Sequence, residues 1–486
     1  LKQQDLCFVA EAPDVLPCAP PTGGKETTQM ALMTEAFALG AAPTVQPAAR
    51  LISQPVRAAQ DAPTRGSLSN SAAGAAAAVV AGAMAARRGA RQANARPRAA
   101  LRSINPDNFS GVCEQTGVTL NRYMIEANRQ GVVDSDVLSV FNSIREATKV
   151  ISKLVNTAPL AQAELLGLQG EVNVQGEDQK KLDVITNDVL KKALKYTGKL
   201  GTMASEEEDE PVSASLEGLG SVLADTGKYV CVFDPLDGSS NVDAGIAVGT
   251  IFGIFSEEAA GAACDLPTNI KDLDDDQVSC LAATLQPGKN LVAAGYVLYS
   301  CSTELVFTIG RGVVGFTLDN SIGEYVLTRP SIKIPPRGKI YSCNEANIDK
   351  WDEPFQQYIK DIQMGKGETG DKYSLRYIGS MVGDVHRTLL YGGLFAYPAD
   401  TKNKDGKLRL LYEAAPMSFL LEQAGGLATT GHSRVMDIPP VNVHQRVPIV
   451  LGSKEDVEEC KKYYEKSEDP KLKERCANRL KGLVTS

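Results

Sequence analysis

The chain has 486 residues, 43% of them apolar and 23% charged, with a net charge of −8, which is enough to bury one large core or two ordinary ones. No uninterrupted apolar run reaches the ~20 residues that a membrane-spanning helix needs; the best candidate, Ala72 to Ala86, is short and mostly alanine, so a soluble protein with no membrane partner is expected. Residues 41–102 hold nine arginines, no lysine and one acid, Asp61; the rest is more acidic than the whole, which argues against a nucleic-acid partner.

Taken in chain order, residues 1–102 come first. Their arginine-rich, acid-poor stretch, with alanine and serine, has the composition of an organelle transit peptide, a disordered linker being the alternative. The chain opens at Leu1, which suggests a fragment or retained upstream sequence, with Met30 as another candidate start. From Asn105 the pattern changes. Val118, Leu120, Met124 and Ile125, then Val137, Leu138, Val140, Phe141 and Ile144, predict a pair of helices across Gly117 to Val155. Gln179 to Leu200 reads as a further amphipathic helix ending near Gly198. Strands are predicted at Tyr229 to Phe233, Ile246 to Phe255, Leu291 to Tyr299, Leu305 to Ile309, Gly312 to Leu318 and Glu324 to Leu327.

The Pro and Lys/Arg cluster from Pro330 to Lys339 marks a boundary, giving a first subdomain over 103–332 and a second over 333–486. Beyond it come a strand at Ile340 to Ser342, helices at Val382 to Tyr391 and Pro416 to Ala424, and a charged terminal helix, Glu455 to Leu483, broken at Pro470 and expected to present a solvated face. Ten cysteines without CxxC spacing do not form a secreted disulfide framework.

The chemistry concentrates in Lys228-Tyr-Val-Cys-Val-Phe-Asp-Pro-Leu-Asp-Gly-Ser-Ser-Asn241. A hydrophobic strand delivers Asp234 and Asp237 three residues apart, in a turn expected at Pro235 and Gly238, and hard divalent cations favour such oxygen donors. Gly238, Ser239 and Ser240 can offer amides and hydroxyls to a phosphate. Ser205-Glu206-Glu207-Glu208-Asp209-Glu210 adds five acids, which alone would read as a solvated acidic loop. A third source, Glu413, lies beside Lys407 and Arg409. Three separated acidic clusters flanked by cations fit a site for metals and phosphate together.

These residues resemble the fructose-1,6-bisphosphatase family. The resemblance runs from about Thr119 to about Ser453 and includes Gly176-Glu-Asp-Gln-Lys-Lys-Leu-Asp183, Phe233-Asp-Pro-Leu-Asp-Gly-Ser-Ser240, Gln286-Pro-Gly288, Arg376-Tyr-Ile-Gly-Ser-Met381, Asp384-Val-His-Arg-Thr388 and Gly406-Lys-Leu-Arg-Leu-Leu-Tyr-Glu413. It implies a mixed α/β, layered αβαβα sugar-phosphatase fold with two subdomains, and a homotetramer. By resemblance, Glu206, Glu207, Asp234, Asp237, Glu413 and the Leu236 carbonyl hold two or three Mg2+ (or Mn2+) ions. Asp183 and Glu207 resemble the pair that activates water, and Asp178 the acid that steers Arg409. Asn344, Arg376, Tyr377, Tyr397 and Lys407 resemble ligands of the sugar and its second phosphate, Arg376 reaching in from a neighbouring subunit. His386 and His444 lack a second histidine at ligand spacing and read as structural, and His432 invites no function.

Two departures carry expectations. Gly131-Val-Val-Asp-Ser-Asp136 stands where nucleotide-inhibited relatives carry Gly-Thr-Gly-Glu-Leu-Thr, and Ser256 stands at their arginine, although Lys228 and Tyr229 remain; weak or absent inhibition by AMP is expected. The insertion 256–285 is acidic and holds Cys264 and Cys280. It resembles the thioredoxin-reducible loop of chloroplast members, implying a disulfide switch, thioredoxin as a partner and a plastid stroma setting, with the cytoplasm as the alternative. Two unrelated thiols are the other reading. A sedoheptulose-1,7-bisphosphatase shares the metal motif, but Ser240-Asn-Val-Asp243, Asn344-Glu345 and Asp384-Val-His-Arg387 look more like the fructose enzyme. A silent scaffold would need a lost metal ligand, and none is lost.

Overall fold

The computed structural model describes residues 117–161, 165–172, 178–214, 227–257 and 275–480, all within the compact unit Arg96–Ser486. The arginine-rich segment and Cys264 lie outside the described residues.

Helix α1 (Leu120–Arg129) buries Leu120, Tyr123, Met124 and Ala127 on one face, and α2 (Ser135–Thr157) buries Val137, Val140, Phe141, Ile144 and Ile151, the spacing of an amphipathic helix. Asp134 caps α2 by accepting the Asp136 and Val137 amides at 3.0 and 2.9 Å, a device worth about 1 kcal/mol. The hairpin β1 (Leu168–Val172) and β2 (Asp178–Lys180) leads into α3 (Lys181–Lys195). That helix is shorter than the predicted span because Leu200 opens a strand, β3 (Leu200–Ser205). Its Gly, Met, Ala and Ser have little strand propensity, and burial between neighbours decides the outcome.

With β3 run β4 (Val212–Ser213), β5 (Tyr229–Asp237), β6 (Val248–Ser256), β7 (Leu291–Tyr299), β8 (Thr303–Thr308), β9 (Val313–Asp319) and β10 (Glu324–Ile332). They form one sheet in the order β10-β9-β8-β7-β6-β5-β3-β4, antiparallel except where β3 runs parallel to β5. Helix α4 (Asp275–Thr284) precedes β7 and packs on β3, β4 and β5. A second sheet, β12-β11-β13-β17-β15, is built from β11 (Ile340–Ser342), β12 (Ser374–Leu375), β13 (Leu394–Tyr397), β15 (Leu427–Thr429) and β17 (Ile449–Gly452), while β14 (Leu408–Arg409) pairs with β16 (Arg446–Val447). Among the described residues the remaining helices are α5 (Glu353–Met364), α6 (Met381–Tyr391), α7 (Ala415–Gln423), α8 (Lys454–Lys466) and α9 (Pro470–Leu480).

Side-chain alternation along the strands sorts these elements into layers. Phe252 and Ile254 of β6 pack with α1 to α3, and their neighbour Ile251 packs with α6 and α7. In the second sheet Phe395, Ile449 and Leu451 face α6 and α7, whereas Leu394, Ala396 and Val450 face α5 and α8. The result is the αβαβα layering expected from the sequence.

Two expectations are corrected. Asp234 and Asp237 do not flank a tight turn: β5 runs through Asp237, and the pairing with β6 shifts register between the two acids. Such a bulge tolerates Pro235, which cannot donate to the ladder; the turn comes after it, at Gly238 with φ +76°. The terminal helix breaks at Pro470 as predicted, yet α8 is not merely a solvated face. Val457, Cys460 and Tyr464 are buried against α5 and the second sheet, and the equally buried Asp456 and Glu459 pair with Arg337.

Candidate active site

Four acids converge from three elements. Glu206 follows β3, Asp234 and Asp237 sit across the β5 bulge, and Glu413 lies in a π-helical turn, Leu410–Ala414, ahead of α7. Oxygens of Asp234, Asp237 and Glu413 all lie within 4.8 Å of one another. Three of the four are tied to the backbone: Leu236 N–H donates to Asp234 Oδ1 at 2.9 Å, Val382 N–H to Asp237 Oδ2 at 3.1 Å, and Arg409 N–H to Glu413. The buried Arg409 guanidinium stands 3.0 Å from Glu206 Oε1 and 4.0 Å from Glu413 Oε2.

Burial and crowding set the protonation. Desolvation, then repulsion from Glu206, Asp237 and Glu413, pushes Asp234 well above the carboxylate range. Asp237 rises to about 7 and Glu413 to about 8, burial outweighing the Arg409 charge in both. Asp183, at the start of α3, rises to about 6 through burial although Lys180 N–H and Ser239 Oγ–H donate to its Oδ2 at 2.9 and 3.2 Å. Its Oδ1 is buried with no hydrogen-bond partner. Clustered carboxylates that raise one another's pKa, and an acid oxygen without a hydrogen-bond partner beside them, are what a bound divalent cation and its water would relieve. The all-oxygen donor set therefore fits a hard divalent metal.

These acids floor a cavity of about 390 Å³ lined also by Lys180, Gly238, Ser239, Ser240, Tyr377, Tyr397, Lys407 and Asp384. The exposed Lys407 places its Nζ 5.8 Å from the Tyr397 ring centroid, and burial pushes the Tyr377 phenol up to about 12. Glu207 and Leu236 line the cavity as well. Asn344 and Arg376 do not: Asn344 Oδ1 accepts the Ala346 amide at 3.2 Å, and the exposed Arg376 donates to the Leu375 carbonyl. Asp178 lies in β2, and its side chain is outside the described residues.

The acidic run at 205–210 divides by partner. Glu206 and Glu207 face the cavity, whereas Glu208 turns to α3, bonding Asn187 at 2.9 Å and Lys191. His444 Nε2–H donates to the Glu208 carbonyl at 2.9 Å, so its Nδ1 accepts from Tyr412 Oη at 2.8 Å. His386 likewise meets Tyr296 Oη at 2.7 Å, and burial pushes it down to about 4. Both are structural, as their isolation in sequence suggests. Lys180 and Asp384 were missed as lining residues. Lys180 sits beside Asp183 in the same sequence block, which was the available signal.

A bulged strand bringing carboxylates, an arginine and a turn of hydroxyls to one cavity is the equipment of a phosphate-ester hydrolase, with a donor set that fits a divalent metal. The chain belongs to the fructose-1,6-bisphosphatase family and is accordingly a sugar-bisphosphate phosphatase: the models "Fructose-1-6-bisphosphatase, N-terminal domain" and "Fructose-1-6-bisphosphatase, C-terminal domain" match residues 118–330 and 334–465. Fructose-1,6-bisphosphatase 1, chloroplastic, of Arabidopsis thaliana is 50% identical over 71% of this chain and 80% of its own length. The cytosolic fructose-1,6-bisphosphatase of Oryza coarctata is also 50% identical, over 71% of this chain and 94% of its own. The holo crystal structure of Leishmania major fructose-1,6-bisphosphatase matches with a TM-score of 0.63 at 40% identity, covering 72% of this chain and all of that one.

Proposed function

We propose that this protein hydrolyses D-fructose 1,6-bisphosphate to fructose 6-phosphate and phosphate, using two or three magnesium ions per subunit, manganese being a substitute, held by Glu206, Glu207, Asp234, the Leu236 carbonyl, Asp237 and Glu413. The observation that carries the reading is the gathering of Asp234, Asp237 and Glu413 oxygens within 4.8 Å. Bound cations supply charge neutralisation for the phosphate and a lowered pKa for the attacking water. Asp183, with a pKa near 6 and a free Oδ1, accepts the proton of that water together with Glu207. Arg409 offsets charge on the phosphoryl oxygens, steered by Asp178. Gly238, Ser239 and Ser240 cradle the 1-phosphate, while Asn344, Tyr377, Tyr397 and Lys407 hold the sugar and the 6-phosphate. As the water oxygen forms its bond to phosphorus, the bond between phosphorus and the sugar oxygen breaks, and that oxygen leaves as the alcohol after taking a proton from solvent.

Arg376 is exposed and off its own cavity, which supports its service to a neighbouring subunit of a homotetramer. The arginine-rich N-terminal segment and the chloroplastic relatives support a plastid stroma. The substrate is tested by comparing kcat/KM for fructose 1,6- and sedoheptulose 1,7-bisphosphate with magnesium and full reduction. Fructose is expected to lead by at least fivefold; a lead for sedoheptulose rejects the assignment.

AMP inhibits weakly or not at all. In the segment that replaces the loop of nucleotide-inhibited relatives, Asp134 caps α2 and accepts from Tyr229 Oη at 2.8 Å, and Asp136 lies 3.2 Å from Lys199 and 3.8 Å from Lys228. These carboxylates occupy the local cations and repel a phosphate. Activity measured across an AMP titration stays flat; half-inhibition at micromolar AMP contradicts this.

The pair Cys264 and Cys280 forms a disulfide switch reduced by thioredoxin. Cys280 is half-buried on α4, which packs on β3, β4 and β5; β5 carries Asp234 and Asp237, and Glu206 directly follows β3; Gln286 Nε2 also donates to the Ser256 carbonyl at 3.1 Å, tying the insertion to the end of β6. Oxidation that shifts α4 therefore disturbs the acid cluster. Activity of the Cys280→Ser variant becomes insensitive to oxidant and to dithiol; a response equal to that of the parent moves the switch elsewhere.

A further inference from the structure

The loop that presents Tyr377 is braced by Asp384 and Arg387, two residues given no role in metal or sugar binding above. Asp384, fully buried in the first turn of α6, accepts the Ile378 amide at 2.9 Å (Oδ1) and 3.1 Å (Oδ2) and the Gly379 amide at 3.0 Å (Oδ2). Two successive amides on one carboxylate require the chain to turn sharply, and Gly379 does so with φ +84°. Arg387, one turn further along α6, donates from Nη2 to Asp384 Oδ1 at 2.5 Å and also to the Arg376 carbonyl. Backbone groups of residues 376, 378 and 379 are thus fixed around Tyr377.

The helix behind this brace is anchored by further hydrogen bonds. His386 on the same helix bonds Tyr296 of β7 at 2.7 Å, and the Val382 amide at the start of α6 bonds Asp237 Oδ2 at 3.1 Å. From the opposite side, Asn241 Nδ2, in the turn that follows Ser240, donates to the Gly379 carbonyl at 3.1 Å. One helix therefore holds a carboxylate of the acid cluster at its first amides and the sugar loop at its first carboxylate.

We infer that Asp384 and Arg387 are positioning residues that set the distance between the sugar-recognition loop 376–380 and the phosphate-hydrolysing acids, and so govern recognition of the sugar 6-phosphate half of the substrate. Charge-assisted bonds from a buried carboxylate to amides are strong and geometrically restrictive, and a small displacement of a binding group lowers productive binding steeply. Freeing the loop leaves the Val382 to Asp237 contact intact, so binding at the acid cluster is spared while sugar recognition is lost.

The inference rests on the fructose-bisphosphatase reading, and its test separates the two. In Asp384→Asn the amide cannot accept from both N–H groups with two charged oxygens; KM for fructose 1,6-bisphosphate rises at least tenfold, the inhibition constant of fructose 6-phosphate rises at least tenfold, and that of inorganic phosphate stays within twofold of the parent. Arg387→Lys keeps a cation beside Asp384 but cannot also reach the Arg376 carbonyl, and gives a shift of about threefold in the same two constants. A structural role alone lowers Tm without this split. Unshifted KM and fructose 6-phosphate inhibition, or a parallel loss of phosphate inhibition, overturns the inference. If Asp384→Asn does not fold, Arg387→Lys decides by the same criteria. A parent protein that releases no phosphate from fructose 1,6-bisphosphate refutes the reading itself, whereas an active parent with unshifted variants refutes only the brace.

Discussion

Glu413→Gln lowers kcat/KM for fructose 1,6-bisphosphate about a thousandfold, roughly 4 kcal/mol of transition-state stabilisation, yet raises the Tm of the metal-free protein. Both effects follow from one burial. Glu413 is 2% exposed and its pKa is pushed up to about 8 by desolvation and by Glu206 and Asp237, with Arg409 opposing. Near pH 8 an ionised Glu413 is thus held against its solvation preference, and the neutral amide relieves this while its carbonyl still accepts the Arg409 N–H. What the amide removes is an anionic oxygen donor. Calorimetric melting with and without magnesium separates the effects: the variant melts higher than the parent when metal-free and gains less from the ion. A variant that melts lower when metal-free and keeps its turnover contradicts the account.

The second large effect is a pH dependence of metal-free stability that magnesium cancels. Asp183, Asp237 and Glu413 rise to about 6, 7 and 8 on folding, while unfolded carboxyls titrate near 4. Between about pH 4 and pH 8 these carboxyls therefore bind more protons in the folded chain than in the unfolded one, outweighing the opposite contribution of the buried His386, and stability falls as pH rises through that window. The stabilisation is fully present below the unfolded values and is lost as each folded pKa is passed. Metal-free Tm is expected to drop by roughly 5 °C between pH 5.5 and pH 8. Magnesium at about a hundred times its Kd adds about 2.7 kcal/mol and acts most at the alkaline end, because binding must displace the protons. A metal-free Tm that rises over this range, or a magnesium gain larger at pH 5.5, would show that the cluster is not a protonated metal site.

Much of the architecture was legible because it rests on local periodicity. The α2 face from Val137 to Ile144 and the strand Leu291–Tyr299 emerge as the pattern predicts. The strand β3 was not legible, since Leu-Gly-Thr-Met-Ala-Ser has weak propensity and becomes a strand through its parallel pairing with β5. The helix α5 was missed although Pro354 in its first turn and Gly365 at its end, with φ +71°, are ordinary start and stop signals.

At the site, the three-residue spacing of Asp234 and Asp237 singled out both acids, but their geometry comes from a bulge that only the pairing of β5 with β6 defines. The run at 205–210 could not be divided from sequence. Glu208 is drawn off by Asn187 and Lys191, residues of a helix whose placement depends on the sheet. Asp384 was quoted within a motif without a task, because its partners are backbone amides, which carry no sequence signature. The buried face of α8 was hidden for a related reason: Asp456 and Glu459 read as solvated until Arg337, more than a hundred positions earlier, is brought to them.

In the proposed reaction the clustered carboxylates act through divalent cations on a sugar phosphate. The most direct measurement is the initial rate of phosphate release from fructose 1,6-bisphosphate by the fully reduced protein, stripped with a chelator and then titrated with magnesium. The rate is predicted to rise saturably from near zero, and to remain near zero across the titration for Asp234→Asn. Undiminished turnover in the presence of chelator, or wild-type turnover by that variant, contradicts the account.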